Sequence, residues 1–466
     1  MEKTPLVVVE GFLGGGLGAN LWKGVETLIN PSHLDLDEHS EGYRRILTVS
    51  VGPVSSLHDR ACELYYALRG GTVDYGSSHS SEHNHARYGR THPTGIYPRW
   101  SKERPLHFLG HSIGGPTIIK LQHLMKEGHF GKDADPDMVL SVTSICSPFR
   151  GTQLVYTLGE STHSAPSVRP FSVGALIAKV VHLLAYIAPP TPVANDEASV
   201  DGRRSSWLEY FQVLDLHPES RSLSYRDISF LQFLRYLWRS DWAESKDATP
   251  YDMTFEAADL RESSGEGLPF PNTFYQSHVF SMTKLMSPSS GSGQNYHTPS
   301  GISWIASGPL YLMSRSIGKF DFSLIRPLPS FCVPPKSGLD PLEEFAKLSP
   351  LPAVDNRESS SILEDCMCHL DENYWANDGV VPVFSQHHPF TCHPSRCLHE
   401  GEHQDTGSHP LSPGLWVVRP LVNNRSHFFV TPPIRPKESS QSAFWEKLGC
   451  DLGAVDAQHT KRLQSH

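Results

Sequence analysis

The 466-residue sequence lacks an excess of positive charge and any apolar run much longer than a single helix. Lys and Arg number 40 against 50 Asp and Glu, which gives a net charge of −10 at pH 7. Without a basic stripe, the sequence argues against nucleic acid as a partner. The 26 histidines are unusually many, and they make charge and metal affinity sensitive to pH.

The first ten residues lack the apolar segment and the small-residue cleavage site of a secretion signal. They predict instead a buried strand over 6–10. We therefore predict a cytoplasmic protein, or a secreted one if a leader precedes the printed sequence.

The most apolar segment, residues 171–188, is close to the shortest length that spans a membrane. Lys179 and His182 lie in its middle, where charge is costly in lipid. A mobile apolar lid is the favoured interpretation, and a core helix and a membrane helix are the alternatives. We expect no transmembrane span.

Short apolar, β-branched segments alternate with helical ones through the first third of the chain. This alternation predicts an α/β fold with a mostly parallel sheet and ligands at the carboxyl ends of its strands. Residues 153–262 show helical patterns without strand signals and predict an inserted cap or lid. We therefore predict a core formed by residues 1–152 and 263–466, with low-complexity surface loops at 287–300, 330–361 and 387–413.

Residues 110–114 read Gly-His-Ser-Ile-Gly, after a short apolar run and before a helical pattern. Strand, tight turn and helix make this motif a nucleophile elbow with Ser112 at its tip. The alternative is an ordinary surface turn. The glycine-rich segment after the first strand indicates an oxyanion hole formed by the amides of Phe12 and Ile113. A phosphate-binding loop is the rival, but no Lys-Ser/Thr completes it.

A catalytic serine requires a base and an orienting acid, in the order Ser, Asp, His for this fold. Asp378 is the acid candidate, although an Asp-Gly turn is the simpler interpretation of its surroundings. His427 is the base candidate. Spacing alone does not separate it from the other histidines of the C-terminal part, His387, His388, His393, His399, His403 and His409.

Several motifs together resemble the thermoalkalophilic lipases of thermophilic bacilli and the related staphylococcal lipases. These segments are residues 52–63, 70–79, 85–90, 141–152, 247–252 and 375–379, and the surroundings of His427. The resemblance implies an α/β-hydrolase fold with a lid at 171–188. It implies hydrolysis of acylglycerol esters at a lipid–water interface by Ser112, Asp378 and His427.

The same resemblance implies a structural zinc ion held by an extra segment at about 57–100. Carried over residue by residue, its ligands are Asp59, His79, His85 and Asp247. Two imidazoles and two carboxylates suit a closed tetrahedral site.

The sequence departs from the family pattern at three places. Glu10 replaces a histidine before the oxyanion loop, and Ile113 replaces a glutamine after the serine. Phe429 and the run at 430–433 replace the calcium ligands, so we predict no calcium site. In the loop at 387–413, a flexible insertion is favoured over a second metal site. That site would be made of Cys392, His393, Cys397, His399, His403 and His409, near Cys366, Cys368 and His369.

The sequence therefore predicts a zinc-containing lipase. A short-chain carboxylesterase or acyltransferase with the same triad is one alternative. A lipid-binding protein with a decayed active site is the other.

Overall fold

The computed structural model describes residues 3–14, 22, 24–30, 42–187, 216–217, 228–240, 242–286, 297–300, 304–333, 370–401, 410–431 and 439–465. Its strands are β1 (Leu6–Val9), β2 (Ile46–Val49), β3 (Gly71–Asp74), β4 (Tyr88–His92), β5 (Leu106–His111), β6 (Val139–Ile145), β7 (Phe274–His278), β8 (Phe280–Ser281), β9 (Thr283–Leu285), β10 (His297–Pro299), β11 (Cys397–His399), β12 (Trp416–Val418) and β13 (Val422–Asn423). Its α-helices are α1 (Val25–Ile29), α2 (Leu57–Arg69), α3 (Ser77–His83), α4 (Gly114–Lys126), α5 (Gln153–Leu158), α6 (Val173–Ile187), α7 (Phe230–Trp238), α8 (Thr249–Asp252), α9 (Phe255–Ser263), α10 (Trp304–Ile317), α11 (Val383–His387) and α12 (Ser439–Ser465).

A seven-stranded sheet forms the centre of the described part of the chain. Its order is β11-β12-β7-β6-β5-β1-β2, and every neighbouring pair is parallel. Parallel strands need helical crossovers on both faces, so the central strands β1, β5 and β6 are buried at every position. The predicted α/β architecture, with a mostly parallel sheet between helices, is confirmed.

The first strand shows how the two faces are filled. Val7 and Val9 belong to the core that α2 and α4 cover. Leu6 and Val8 point the other way, into the core that α1 and α12 cover. Each fully buried aliphatic side chain of this kind contributes about 1.5–3 kcal/mol relative to its exposed state.

Three pairs of short strands lie outside the main sheet. β3 and β4 form an antiparallel pair next to α2, β9 and β10 pair antiparallel, and β8 and β13 pair parallel. β3, α3 and β4 lie within residues 57–100, where the sequence predicts an extra segment, and the bounds of that segment stay a prediction.

The segment predicted as a cap contains α5 to α9 and no strand within its described part. The apolar helix expected over 171–188 is α6, and α7 packs on it through stacked rings of Tyr186 and Phe233, with centroids 4.2 Å apart. None of the described helices combines the length and the apolar character that crossing a membrane requires. The domain boundaries at 152 and 262 stay predictions.

The structure differs from the loop expected at 387–413. Cys397–His399 is the edge strand of the main sheet, and the side chains of Phe390 and Leu411 are buried. The apolar residues of this segment, although scattered among histidines and prolines, are buried and hold the segment against the sheet. Residues 297–299 of the expected loop at 287–300 likewise form β10. Residues 287–296, 334–361 and 402–409 lie outside the described residues.

Candidate active site and metal-ligating clusters

Ser112 lies on the turn between β5 and α4, with a φ of +55°. This left-handed backbone is costly for a residue with a Cβ, and the surrounding packing maintains it. The Ser112 amide donates to the carbonyl oxygen of Ile145 over 3.0 Å. A Cβ on Gly114 would lie only 2.0 Å from the Val9 carbonyl oxygen, so this position requires glycine. The geometry is that of a nucleophile elbow.

Asp378 and His427 form a buried pair. His427 Nδ1 lies 2.8 Å from Asp378 Oδ2, and the His427 amide donates to the Asp378 carbonyl oxygen over 2.8 Å. The other carboxylate oxygen accepts from the amides of Val380 and Val381 over 2.9 and 2.8 Å. Because the carboxylate accepts from Nδ1–H, Nε2 carries the lone pair that can take a proton.

His111 connects the elbow to the segment that holds His427. Burial, together with the nearby charge of His427, lowers the pKa of His111 to about 3, so its ring is neutral. Its Nε2 lies 3.0 Å from the His427 carbonyl oxygen, which can only accept, so Nε2–H donates. The two rings lie 4.8 Å apart. Sequence reasoning missed this contact, although the place of His111 beside Ser112 in the motif was a signal.

Cys146, at the end of β6, is a second residue that the sequence did not single out. Its thiol is fully buried and lies with the Asp378 and His427 side chains in one group of polar atoms. Burial, and then the charge and hydrogen bond of Asp378, raise the pKa of this thiol well above its ordinary value. The thiol therefore stays protonated and adds no negative charge beside the Asp378 carboxylate.

An apolar cavity opens at Ser112. Phe12 and Ile113, predicted to supply oxyanion-binding amides, both line it. A Cβ on Gly11 would lie 2.7 Å from the Ser112 Cβ, so glycine lets this loop approach the elbow. The remaining lining residues are largely apolar: Pro148, Thr152, Leu154, Val155, Leu158, Glu160, Val168, Gly174, Ile177, Trp242, Ala243, Thr249, Pro250, Met253, Val380 and Val381.

Glu10 lies directly before the oxyanion loop and is 5% exposed. Burial raises its pKa to about 7, although the positive charge of Arg60 works in the opposite direction. The Arg60 guanidinium, itself fully buried, donates to the Glu10 carbonyl oxygen over 2.5 Å and to the Gly52 carbonyl oxygen over 2.8 Å. Arg60 thereby ties α2 to the backbone beside the elbow.

The predicted metal ligands come together in one group, called here the Asp59 cluster: Asp59, His79, His85 and Asp247. Their ligand atoms all lie within 4.8 Å of one another. His79 Nε2 lies 3.3 Å from Asp59 Oδ1 and 3.2 Å from Asp247 Oδ1. His85 Nε2 lies 3.5 Å from Asp247 Oδ2. These contacts connect α2, α3 and the segment before α8.

The donor set of the Asp59 cluster fits a metal ion. His85 Nδ1 lies 2.9 Å from the Ala86 carbonyl oxygen, so Nδ1–H donates and Nε2 has its lone pair directed at the carboxylates. The Nε2 atoms of His79 and His85 are buried, and each faces carboxylate oxygens of Asp59 and Asp247. Burial lowers the pKa of His79, but the two carboxylates outweigh it and raise it to about 9. Two buried carboxylates thus draw a positive charge into this site, which a divalent cation would supply.

Only part of the histidine- and cysteine-rich set of 387–413 comes together. Cys392, Cys397 and His399 lie close to one another, and His388, predicted only as an alternative base, lies with them. His393 is exposed and outside this group. His403 and His409 lie outside the described residues, as do Cys366, Cys368 and His369.

Comparison with known proteins finds similarity to lipases. The model of the family described as "Lipase-like, C-terminal domain" matches residues 2–172. The lipase of Staphylococcus hyicus is 36% identical over 36% of this chain and 28% of its own length. Lipase 1 of Staphylococcus aureus is 28% identical over 97% of this chain and 54% of its own. The chain thus spans about half the length, or less, of the curated relatives that it matches.

The fold of a solved lipase agrees with the sheet described above. The crystal structure of Staphylococcus hyicus lipase superposes with a TM-score of 0.64 and 21% identity, covering 98% of this chain and 97% of that one. The chain therefore has the fold of an α/β hydrolase, and the predicted resemblance to staphylococcal lipases is confirmed.

The prediction of a cytoplasmic protein is wrong. The staphylococcal lipases that the chain resembles are secreted enzymes. The prediction rested on the first residues of the printed sequence, and a chain that matches only part of its relatives gives no information there about a leader.

Proposed function

We propose that the chain is a lipase that hydrolyses the carboxylic esters of acylglycerols, with Ser112, Asp378 and His427 as its catalytic triad. The observation that carries the proposal is the buried His427–Asp378 pair, 2.8 Å apart, which His111 connects to the elbow whose serine lines an apolar cavity. An apolar acyl chain suits this lining, and the names of the staphylococcal relatives support the same activity.

In the proposed mechanism, Ser112 Oγ attacks the ester carbonyl carbon while His427 Nε2 takes the hydroxyl proton. The carbonyl oxygen becomes an oxyanion and binds the amides of Phe12 and Ile113. His427 then returns the proton to the leaving alcohol as the ester C–O bond breaks. Water, activated by His427 in the same way, releases the fatty acid from the acyl-enzyme. Asp378 stabilises the imidazolium that forms twice in this cycle.

The exposed side of α6 supports action at a lipid surface. Its apolar residues at helical spacing, each more than 40% exposed, are Val173, Leu176, Val180, Leu183 and Ile187. Ala178, Val181 and Ala185 on the opposite side are buried. The spacing of three and four makes one continuous apolar stripe in water, and such stripes mark interaction surfaces. We propose that α6 is the lid and that this stripe meets the substrate interface.

We propose that the Asp59 cluster holds one structural zinc ion. Two imidazoles and two carboxylates make four nitrogen and oxygen donors, which is a closed set for tetrahedral zinc. The bound ion would neutralise the buried carboxylates and fix α2 against the cap. No catalytic step depends on it.

Covalent labelling with a fluorophosphonate tests the nucleophile. The wild-type chain is expected to take up one label, and Ser112→Ala to take up none. Ser263→Ala, on the exposed side of α9, is the control and should label normally. Labelling that survives in Ser112→Ala excludes the proposed triad and leaves the lipid-binding alternative open.

Two substrates separate a lipase from a short-chain esterase. We expect hydrolysis of both a tributyrin and a triolein emulsion. Leu176→Asn/Leu183→Asn is expected to lower the ratio of triolein to dissolved-ester hydrolysis, because the stripe loses its affinity for the interface. Lys179→Gln, on the same exposed side, is the matched control. No hydrolysis of triolein by the wild-type enzyme identifies an esterase instead.

A further inference from the structure

A second group of metal-ligating side chains lies at the edge of the main sheet, far along the chain from the Asp59 cluster. We call it the His388 cluster, and its members are His388, Cys392, Cys397 and His399. It takes all its residues from twelve consecutive positions. Cys397 begins β11 and His388 directly follows α11.

The donor atoms of the His388 cluster converge on one point. His388 Nε2 and His399 Nε2 lie 3.2 Å apart. Cys392 Sγ lies 3.2 Å from the first of these nitrogens and 3.3 Å from the second. Cys397 Sγ completes a group whose ligand atoms all lie within 4.8 Å of one another.

These separations are close to the edges of a coordination tetrahedron. With zinc–nitrogen distances of about 2.1 Å and zinc–sulfur distances of about 2.3 Å, neighbouring ligand atoms lie about 3.4–3.8 Å apart. The nitrogen–nitrogen separation of 3.2 Å and the nitrogen–sulfur separations of 3.2 and 3.3 Å are below that range, so binding an ion requires a small outward movement of the side chains.

The tautomer of His388 is set for metal binding. Its Nδ1 lies 2.8 Å from the Phe390 carbonyl oxygen, which can only accept, so Nδ1 carries the proton. Nε2 therefore has its lone pair directed at Cys392 and His399. An imidazole oriented by a backbone carbonyl is the usual arrangement around a bound ion. The Phe390 ring stacks on His388 with centroids 4.3 Å apart and holds its plane.

The backbone around the two cysteines is also fixed. The His393 carbonyl oxygen accepts from the amides of Arg396 and Cys397 over 2.9 and 3.1 Å, which turns the chain back on itself. This turn brings Cys392 and Cys397 to the same point. Thr391 is held to α9 by its amide, which donates to Glu262 Oε1 over 2.5 Å. The cluster is therefore preformed rather than a chance approach of loop side chains.

We propose that the His388 cluster is a second, structural zinc site of the two-cysteine, two-histidine type. Soft thiolate donors together with imidazoles favour zinc over calcium or magnesium. A disulfide between Cys392 and Cys397 is the rival arrangement, and the structure does not join these residues in one. The bound ion holds the end of α11 against the edge of the sheet. This helix follows the turn that contains Asp378.

Metal content tests the site directly. Elemental analysis of the purified chain is compared with that of Cys392→Ser, whose side chain is exposed. The expected difference is one zinc ion per chain. His393→Ala in the same loop and Cys450→Ser, an exposed cysteine on α12, are matched controls and should retain the full content. Equal zinc in the wild-type chain and Cys392→Ser overturns the proposal.

Cobalt replacement distinguishes the two clusters. A chain loaded with Co²⁺ should show the thiolate-to-cobalt charge-transfer band, and Cys392→Ser should lose it. Asp59→Asn should keep it, because the Asp59 cluster contains no sulfur. A wild-type chain without this band, or non-reducing peptide maps that join Cys392 to Cys397, overturns the proposal. Neither readout uses ester hydrolysis, so the result is independent of the proposed function.

Discussion

The Asp59 cluster joins residues that are 188 positions apart, whereas the His388 cluster joins residues that are at most 11 positions apart. The first uses two carboxylates and two imidazoles, and the second uses two thiols and two imidazoles. Closing a long stretch of chain removes more conformational entropy from the unfolded state than closing a short one. The comparison therefore predicts that the first metal holds the extra segment to the cap, while the second only stiffens one local turn.

The residues of the two clusters are distinct from the proposed catalytic triad. A substitution in the triad should therefore abolish ester hydrolysis while the zinc content stays the same. We expect Asp378→Asn to lower kcat by about 10⁴-fold, because His427 then lacks the partner that orients it and stabilises its charged form. The ester-hydrolysis assay should be paired with zinc analysis of the same sample. If the zinc content falls together with kcat, metal binding depends on the active site, which contradicts this prediction.

The next largest effect is expected at the Asp59 cluster. Asp59→Asn should lose one zinc ion and lower the free energy of unfolding by about 4 kcal/mol, because the other buried carboxylate is left without enough positive charge. Urea unfolding and metal analysis measure the two effects, and a chelator should reproduce them in the wild-type chain. Asp133→Asn, at an exposed position, is the control. A stability equal to that of the control contradicts the role assigned to this metal.

Glu10 is a buried carboxyl group outside both metal clusters, and its titration should make the free energy of unfolding depend on pH. Its pKa is raised from 4.5 to about 7 by burial, so the folded state holds the proton more tightly than the unfolded state. The contribution to stability is complete below pH 4.5 and is lost as pH rises to about 7, a change of roughly 3 kcal/mol. In urea unfolding, the Glu10→Gln variant should not show this fall in the free energy of unfolding. Glu127→Gln is the exposed control, and identical pH profiles for Glu10→Gln and wild type would refute the assignment.

The smallest effect is expected at the His388 cluster. Cys392→Ser should lower the free energy of unfolding by about 1–2 kcal/mol, because the metal closes only a short loop. Cys450→Ser, at an exposed position on α12, should leave stability unchanged. A loss as large as that of Asp59→Asn would contradict the comparison, since it would mean that the edge strand depends on the second metal for more than local order.

How much the sequence could predict depends on how local each feature is. The strand at 6–9 and the elbow at Ser112 follow from a few consecutive residues, so the pattern was enough. Asp378 and His427 meet across 49 positions, and spacing alone did not select His427 among the other histidines. Only the resemblance to known lipases did so.

The Asp59 cluster depends equally on the tertiary fold and was also assigned only through the resemblance. The His388 cluster had no such help. Its four side chains meet because of the turn closed by the His393 carbonyl and because of the strand β11. This strand has three residues and is too short to show the alternation of side chains that predicts a strand. For this reason His388 was not grouped with the cysteines, and the segment was expected to be a flexible insertion.

The position of β11 has a consequence for solubility. An edge strand presents unpaired backbone groups that can recruit a strand from another molecule, and proteins limit this risk by keeping such strands short. The strand Cys397–His399 has only three residues, and the side chains at its two ends belong to the His388 cluster. Little of its backbone is therefore available for such pairing. A chain whose His388 cluster is disrupted would therefore be expected to aggregate sooner than its small loss of stability suggests.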